Sequence, residues 1–230
     1  MTVIQENAIF IADAHYPTHG DALLTLLYKI ESGEIETPQL FLMGDIFDLL
    51  VGGLDESILP NKEAIVLIES LAKNISVYYF EGNHDFRLGK IFKNINPFSR
   101  EQQPQYMEMN GFIVGLSHGD RFDTGWKHDL MSRVLRRPLV IALIKCFKPD
   151  IVAKKNTQLK NKEICHEIPH FDKKAKSIFG CYRGALWVIE GHYHQARTVC
   201  NYISLPSLAC QKQIGVIREG GMIFMDMEEI

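Results

Sequence analysis

Five short polar motifs in this chain each stand where an apolar run stops. Ala8–Ala12 (AIFIA) ends at Asp13-Ala14-His15, and Gln39–Met43 (QLFLM) ends at Gly44-Asp45-Ile46-Phe47-Asp48. Ile75–Phe80 (ISVYYF) leads to Gly82-Asn83-His84-Asp85, Phe112–Leu116 to His118-Gly119-Asp120, and Leu186–Ile189 (LWVI) to Gly191-His192-Tyr193-His194. Between the first three runs lie Ala22–Ile30 and Ala64–Leu71, whose apolar residues recur at helical spacing. Short apolar runs separated by helical segments predict βαβ units and a largely parallel, buried sheet, so the fold class is α/β. Such a sheet gathers its strand ends, and therefore all five motifs, along one crevice.

The second half changes pattern. Tyr106–Met109, Asn110-Gly111 and Phe112–Leu116 read as a hairpin, because Asn-Gly supplies the two positive φ angles of a type I′ turn. Tyr202–Leu205, Gly215–Ile217 and Met222–Met225 read as short antiparallel strands. Residues 121–184 interrupt the αβ order within what is otherwise one domain, 1–230. Leu130, Val134, Leu135, Leu139 and Ile141–Ile144 alternate there with basic residues, Pro138 is placed to start or kink a helix, and Pro149 to stop or kink one. This segment carries 15 Lys+Arg against 6 Asp+Glu, whereas the rest of the chain carries 10 against 22. A basic helical insertion on an acidic body predicts a lid that meets an anionic partner; a solvated basic surface is the plainer alternative.

The chemistry lies in the motifs. Side chains at i and i+2 of an extended segment point the same way, so Asp13 with His15, and His192 with His194, can each reach one ion. Asp13, His15, Asp45, Asn83, His118, His192 and His194 offer carboxylate, imidazole and amide oxygen without thiolate, a set suited to manganese, iron, cobalt or zinc. Seven ligands are too many for one ion, so two divalent ions are expected, sharing a carboxylate; manganese is the expectation, with iron, cobalt or zinc as alternatives. Such a pair lowers the pKa of a water between the ions, holds phosphate oxygens and neutralises charge building on phosphorus. Any one of these dipeptides alone is near noise, but five of the nine histidines fall in the motifs, in an order that fits one site.

At this point the chain resembles the calcineurin-like metallophosphoesterases, whose D-x-H, GDxxD, GNH[DE], H-G and GHxH motifs all occur here in family order. The resemblance implies a two-sheet αββα sandwich with a helical lid insertion and a dinuclear site at one edge. It also implies that Asp13, His15, Asp45 and His194 hold one metal, with Asp45 bridging, and that Asn83, His118 and His192 complete the other. His84 would protonate the leaving oxygen or contact a phosphate, a role that suits an imidazole near neutral pH, with Asp85 orienting it. Asp48 and Asp120 would support the site from behind.

Within that family the chain looks most like the UDP-2,3-diacylglucosamine hydrolases of lipid A synthesis. GNHDFRLG (82–89) resembles that branch's GNRDF-type segment, although the branch has Arg where this chain has His84. The basic, apolar insertion stands where that branch has its lid. The resemblance implies hydrolysis of a diphosphate to UMP and 2,3-diacylglucosamine 1-phosphate, with Asn83, His84, Lys154, Lys155 and Lys162 as substrate contacts and the lid resting on a membrane surface. The alternative is a soluble phosphodiesterase or phosphatase acting on a nucleotide or other phosphoester, for which an apolar lid face would pack only against its own domain. A scaffold that had lost its metals would show ligand replacements, and all seven positions are filled. Nucleic acid is not an expected partner, since stacking aromatics in the insertion are sparse, mainly Trp126 and Phe147.

Composition narrows the setting. At 46% hydrophobic and 23% charged residues the chain has the balance of a globular protein. MTVIQENAIF lacks the pattern of a secretory leader, and the apolar run Pro138–Cys146 contains a lysine and is shorter than the ~20 residues a bilayer needs. Cys146, Cys165, Cys181, Cys200 and Cys210 form no CxxC pair and are odd in number, so reduced thiols and a cytoplasmic location are expected, at most peripheral to the inner membrane face.

Overall fold

The computed structural model describes residues 1–122, 125–147, 157–159 and 163–229. Strands β1 (Ile9–Ile11), β2 (Gln39–Leu42) and β4 (Ser76–Tyr79) are parallel neighbours, with Phe10 beside Phe41 and Phe41 beside Tyr78. Their side chains alternate between two faces. Ile9, Ile11, Leu40 and Leu42 pack against helices α1 (Ala22–Glu31) and α3 (Lys62–Leu71), while Phe10, Ala12, Phe41 and Met43 face the other way. Helix α1 buries Leu23, Leu26, Leu27 and Ile30, the i, i+3, i+4, i+7 stripe of an amphipathic helix. Leu26 is fully enclosed, and truncating such a residue to alanine costs about 2–5 kcal/mol. Between β2 and β4 the chain also forms β3 (Leu50–Val51) and the short helix α2 (Asp55–Ile58); β3 pairs in parallel with β5 (Asp85–Phe86).

The second sheet begins with the Asn110-Gly111 hairpin, as its sequence predicts. Strands β6 (Gln105–Met109) and β7 (Phe112–Ser117) pair with Met109 opposite Phe112, and both turn residues have positive φ, 51° and 78°. Strand β8 (Trp187–Glu190) is parallel to β7, β10 (Tyr202–Ser204) is parallel to β8, and β9 (Arg197–Val199) closes the edge antiparallel to β10. The expectation that the C-terminal strands are all antiparallel is therefore corrected at β10. Its parallel partner, β8, lies across the chain reversal through β9, a pairing that local alternation does not encode. Strands β11 (Gln213–Arg218) and β12 (Gly221–Asp226) form the expected hairpin but return to the first sheet, where β11 lies antiparallel to β1.

The inner faces of the two sheets meet in one core of Phe10, Phe41, Met43, Phe80, Met107, Val114, Leu116, Ile189, Ile203 and Leu205. Helices α1 and α3 cover the outer face of the first sheet. The outer face of the second is covered by helix α6 (Phe171–Phe179), whose Phe171, Ala175 and Ile178 pack with Val188, Val199 and Tyr202. The result is the αββα sandwich, and within the 121–184 segment α6 serves as its fourth layer. The rest of the described part of 121–184 holds α4 (Trp126–Leu135) and α5 (Pro138–Phe147), which starts at Pro138 as its fixed φ favours. Ile141 of α5 is buried against Val51, Leu54 and Phe86, and Lys145 pairs with Asp55. Pro149, Lys154, Lys155 and Lys162 lie outside the described residues.

One cysteine expectation is overturned. Cys165 and Cys210 form a disulfide, their Cα atoms 5.4 Å apart, while Cys146, Cys181 and Cys200 are free and exposed. The pair is 45 residues apart in sequence. It meets because the chain entering α6 folds back over the turn that follows β10, a juxtaposition that no spacing rule would reveal. Among the described residues no helix is long and apolar enough to cross a membrane.

Candidate metal centre

The parallel register of β1 and β2 continues past the strand ends and sets the first ligands. Met43 N–H donates to Ile11 O, Asp13 N–H to Gly44 O, and His15 N–H to Asp45 O. Asp13, His15, Asp45, His192 and His194 all have φ between 44° and 65°. Left-handed backbone at a non-glycine residue costs about 1–3 kcal/mol and persists only where surrounding contacts over-determine it, as at functional sites. Here the backbone turns out of each strand and aims successive side chains into the same crevice.

Two trios of donors result. Asp13, His15 and His194 can bring one ligand atom each within 4.8 Å of one another, and so can Asp45, His118 and His192. Asn83 joins the second, its Oδ1 3.4 Å from His118 Nε2. All seven predicted ligands are thus gathered at one edge of the sandwich. Asp45 stands with the second trio, and its charge also acts on His15 in the first.

The imidazoles are oriented by the main chain. His118 Nδ1 donates to Met43 O at 2.9 Å, and His194 Nδ1 donates to Ile164 O at 3.0 Å. A carbonyl only accepts, so each Nδ1 carries its proton and each Nε2 is turned toward the crevice, the usual arrangement behind a metal-binding histidine. Asp13 Oδ1 and His15 Nε2 are buried without a hydrogen-bond partner; Oδ1 lies 3.1 Å from His194 Nε2 as an ion pair only. Buried polar atoms left in this way, among nitrogen and oxygen donors with no sulfur, fit a pair of divalent cations.

The electrostatics agree. Burial works to raise both carboxylates, yet His194 holds Asp13 below the usual range, and His84 and His118 hold Asp45 well below it. Burial drives His15 down to about 3 and His192 down to about 4, so both are neutral and able to donate a lone pair. Burial also opposes charge on His118 and His194, but Asp45 raises His118 well above the ordinary value and Asp13 raises His194.

His84 is buried, with Nδ1 donating to Asp48 O at 2.8 Å and Nε2 3.9 Å from Asp45 Oδ2. The expectation that Asp85 orients His84 is corrected. Asp85 is fully buried and spends its oxygens on the N–H groups of Asp45, Ile46 and Gly82 and on the Tyr79 hydroxyl. It is tied into backbone donors before it can face the imidazole, and the Asp48 carbonyl takes that task. The Asp48 carboxylate accepts Thr18 N–H, and that of Asp120 accepts Arg100 Nε at 2.8 Å.

A cavity of about 250 Å³ opens over the two trios, lined by His15, Asp45, Asn83, His84, His192 and His194 together with Ile164, His166, Ile168, Lys174 and Tyr193. Nothing local marked His166 or Lys174, one of several lysines in a basic segment. Lys174 lies 4.6 Å from the Tyr193 ring, whose hydroxyl donates to Gly119 O.

The family model for calcineurin-like phosphoesterases matches residues 7–196, a span containing every motif described above. The chain is 28% identical over 196 residues to a UDP-2,3-diacylglucosamine hydrolase from Photorhabdus laumondii, covering 81% of each chain. It is 23% identical over 218 residues to a UDP-2,3-diacylglucosamine hydrolase from Yersinia pseudotuberculosis, covering 90% of this chain and 89% of the relative. Among solved structures, a dimetal phosphatase from Danio rerio aligns over 95% of both chains with a TM-score of 0.46 and 14% identity.

Proposed function

The chain belongs to the calcineurin-like phosphoesterase family, a metal-dependent phosphoester hydrolase, and from that premise we propose that its substrate is UDP-2,3-diacylglucosamine, cleaved to UMP and 2,3-diacylglucosamine 1-phosphate. Asp13, His15, Asp45, Asn83, His118, His192 and His194 would hold two divalent ions, which would supply an activated water and neutralise charge on phosphorus. Asp45, which stands with His118 and His192 and whose charge also reaches His15, would be the carboxylate shared between them. His84 has committed Nδ1–H to Asp48 O, so a proton for the leaving oxygen comes from Nε2. Asn83 and His84 meet the phosphoryl oxygens, and Lys154, Lys155 and Lys162 are proposed as further substrate contacts.

One observation carries the lipid assignment over the soluble alternative. Only part of the apolar surface of α5 packs against its own domain: Ile141 is buried, whereas Leu139 and Phe147 are 78% and 73% exposed. With Leu130, Met131, Leu135 and Leu143 also exposed, this surface suits acyl chains and contact with an anionic membrane face. The names of the relatives agree with it.

The test is hydrolysis of UDP-2,3-diacylglucosamine by manganese-loaded protein, beside bis-p-nitrophenyl phosphate and an Asp45→Ala control. Turnover of the lipid nucleotide far above the generic diester, lost in the control, supports the assignment. Turnover of the diester alone keeps the metal chemistry and sinks the lipid substrate. Failure to bind anionic vesicles counts against membrane contact.

A further inference from the structure

Arg136 follows α4, in the 121–184 segment, yet its side chain is only 9% exposed because it packs against Gly82, Phe86 and Ser132. Nη2 donates to Gly82 O at 2.5 Å, Nη1 to Ser132 Oγ at 2.5 Å, and the guanidinium carbon lies 4.9 Å from the Phe86 ring centroid. Nε, buried without a hydrogen-bond partner, is 3.9 Å from Glu81 Oε2. One cation from the insertion thus meets Glu81, Gly82 and Phe86, the residues that bracket Asn83 and His84.

The Gly82 peptide is confined on its other sides by the metal centre. Its N–H donates to Asp85 Oδ1 at 2.8 Å, and a Cβ at this position would come within 2.2 Å of Asp45 Oδ1. The same Asp45 Oδ1 accepts His84 N–H at 2.8 Å. Asp85 and Asp45 therefore hold this loop from within the first half of the chain, and among the described residues the hydrogen bond to the Gly82 carbonyl comes from Arg136. A second arginine anchors α4 from the core side: Arg100 bonds both Asp120, beside His118, and Asp129 of α4. The α4 segment is clasped to two ligand-bearing loops, whereas the Lys145–Asp55 pair of α5 touches neither.

We propose that Arg136 is a positioning residue that couples the insertion to the metal centre, its guanidinium fixing the Gly82 carbonyl and through it Asn83 and His84. The planar fork matters as much as the charge, since a lysine ammonium cannot meet the Gly82 carbonyl, Ser132 and the Phe86 face together. The proposal rests on the reading that Asn83 and His84 serve the phosphoester site.

The experiment compares wild type, Arg136→Met, Arg136→Lys and Lys145→Ala by manganese titration and by turnover of bis-p-nitrophenyl phosphate, with melting temperature recorded for each. Arg136→Met is expected to weaken one of the two manganese sites about 10-fold and to lower kcat about 10–100-fold, the range typical of a group acting behind a ligand. KM for the diester stays within about twofold, Arg136→Lys is intermediate, added guanidinium ion restores part of the Arg136→Met loss, and Lys145→Ala behaves as wild type. An unchanged manganese isotherm in Arg136→Met overturns the proposal. So does equal weakening of both sites with a collapsed melting temperature and no guanidinium rescue, which makes Arg136 a fold anchor only. An inactive wild type would sink the phosphoesterase reading instead, and the manganese titration, which needs no turnover, would still decide the role of Arg136.

Discussion

The Asp13 carboxylate accepts the backbone N–H of His192 at 2.7 Å, joining two ligand-bearing loops 179 residues apart. Asp13 is thus both a donor in one trio and the fastener of a loop belonging to the other. Asp13→Ala is expected to disturb both ions, with a loss of metal affinity beyond the 10–100-fold typical of a supporting group. Elemental analysis after dialysis should find fewer than two ions per chain and no turnover. Two retained ions would show that Asp13 is dispensable as a ligand.

His84 makes a different prediction, because its ring is held by the Asp48 carbonyl while its Nε2 faces the cavity. His84→Ala should keep two metals and lose about 10²–10⁴ in kcat, the contribution usual for a general acid. The loss should be greatest for phosphoesters with poor leaving groups. If metal is lost together with activity, the residue is a ligand or a structural element rather than an acid.

Metal uptake should expel protons. Burial disfavours charge on His118 and His194, but Asp45 and Asp13 raise both above the ordinary imidazole value, so in the metal-free protein both keep a proton to higher pH than a free imidazole does. Cations compete with those protons, and apparent affinity should fall as pH falls. Calorimetric titration of manganese in buffers of different ionisation enthalpy measures the release. A binding enthalpy independent of the buffer would contradict it.

Gly44 has φ +85°, and a Cβ there would stand 2.4 Å from His118 Nδ1. Gly44→Ala should therefore push the imidazole off the Met43 carbonyl, cost about 1–3 kcal/mol in backbone strain and weaken the Asp45–His118–His192 site. Chemical denaturation and a manganese titration check both effects, and wild-type values in each would remove the argument.

Glu81 gives the stability a pH dependence. Burial, opposed by the Leu88 N–H that its carboxylate accepts and then by Arg136, raises its carboxyl to about 7 from 4.5. Folded protein then retains a proton that unfolded chain has released, so stability falls as pH rises from about 4.5 to about 7 and levels off above. At about 1.4 kcal/mol per unit the cost reaches at most about 3.5 kcal/mol. Glu81→Gln should flatten this slope and equal or exceed wild-type stability at pH 8 in urea denaturation. An unchanged slope would mean that Glu81 ionises normally in the folded state.

The strand-end motifs, the βαβ order of the first half and the Asn110-Gly111 hairpin were legible in the sequence because each rests on local periodicity. A two-residue repeat sends Phe10 and Phe41 into the inter-sheet core and their neighbours toward α1 and α3, but Asp13 and His15 lie past the end of β1, and it is their left-handed backbone, not that repeat, that brings the pair to one crevice. Local chemistry likewise picked out the seven residues that converge at that crevice, since those residue types have few other reasons to end five apolar runs. Tertiary structure decided what depends on contacts across the chain. It divided the C-terminal strands between two sheets, paired Cys165 with Cys210, gave Asp85 to backbone amides in place of His84, and set Arg136 against Gly82. Cys165 and Cys210 lie 45 residues apart, Asp85 and the Asp45 amide 40, and Arg136 and Gly82 54. Their meeting is fixed by how layers stack and loops return, which side-chain periodicity along a single strand or helix does not encode.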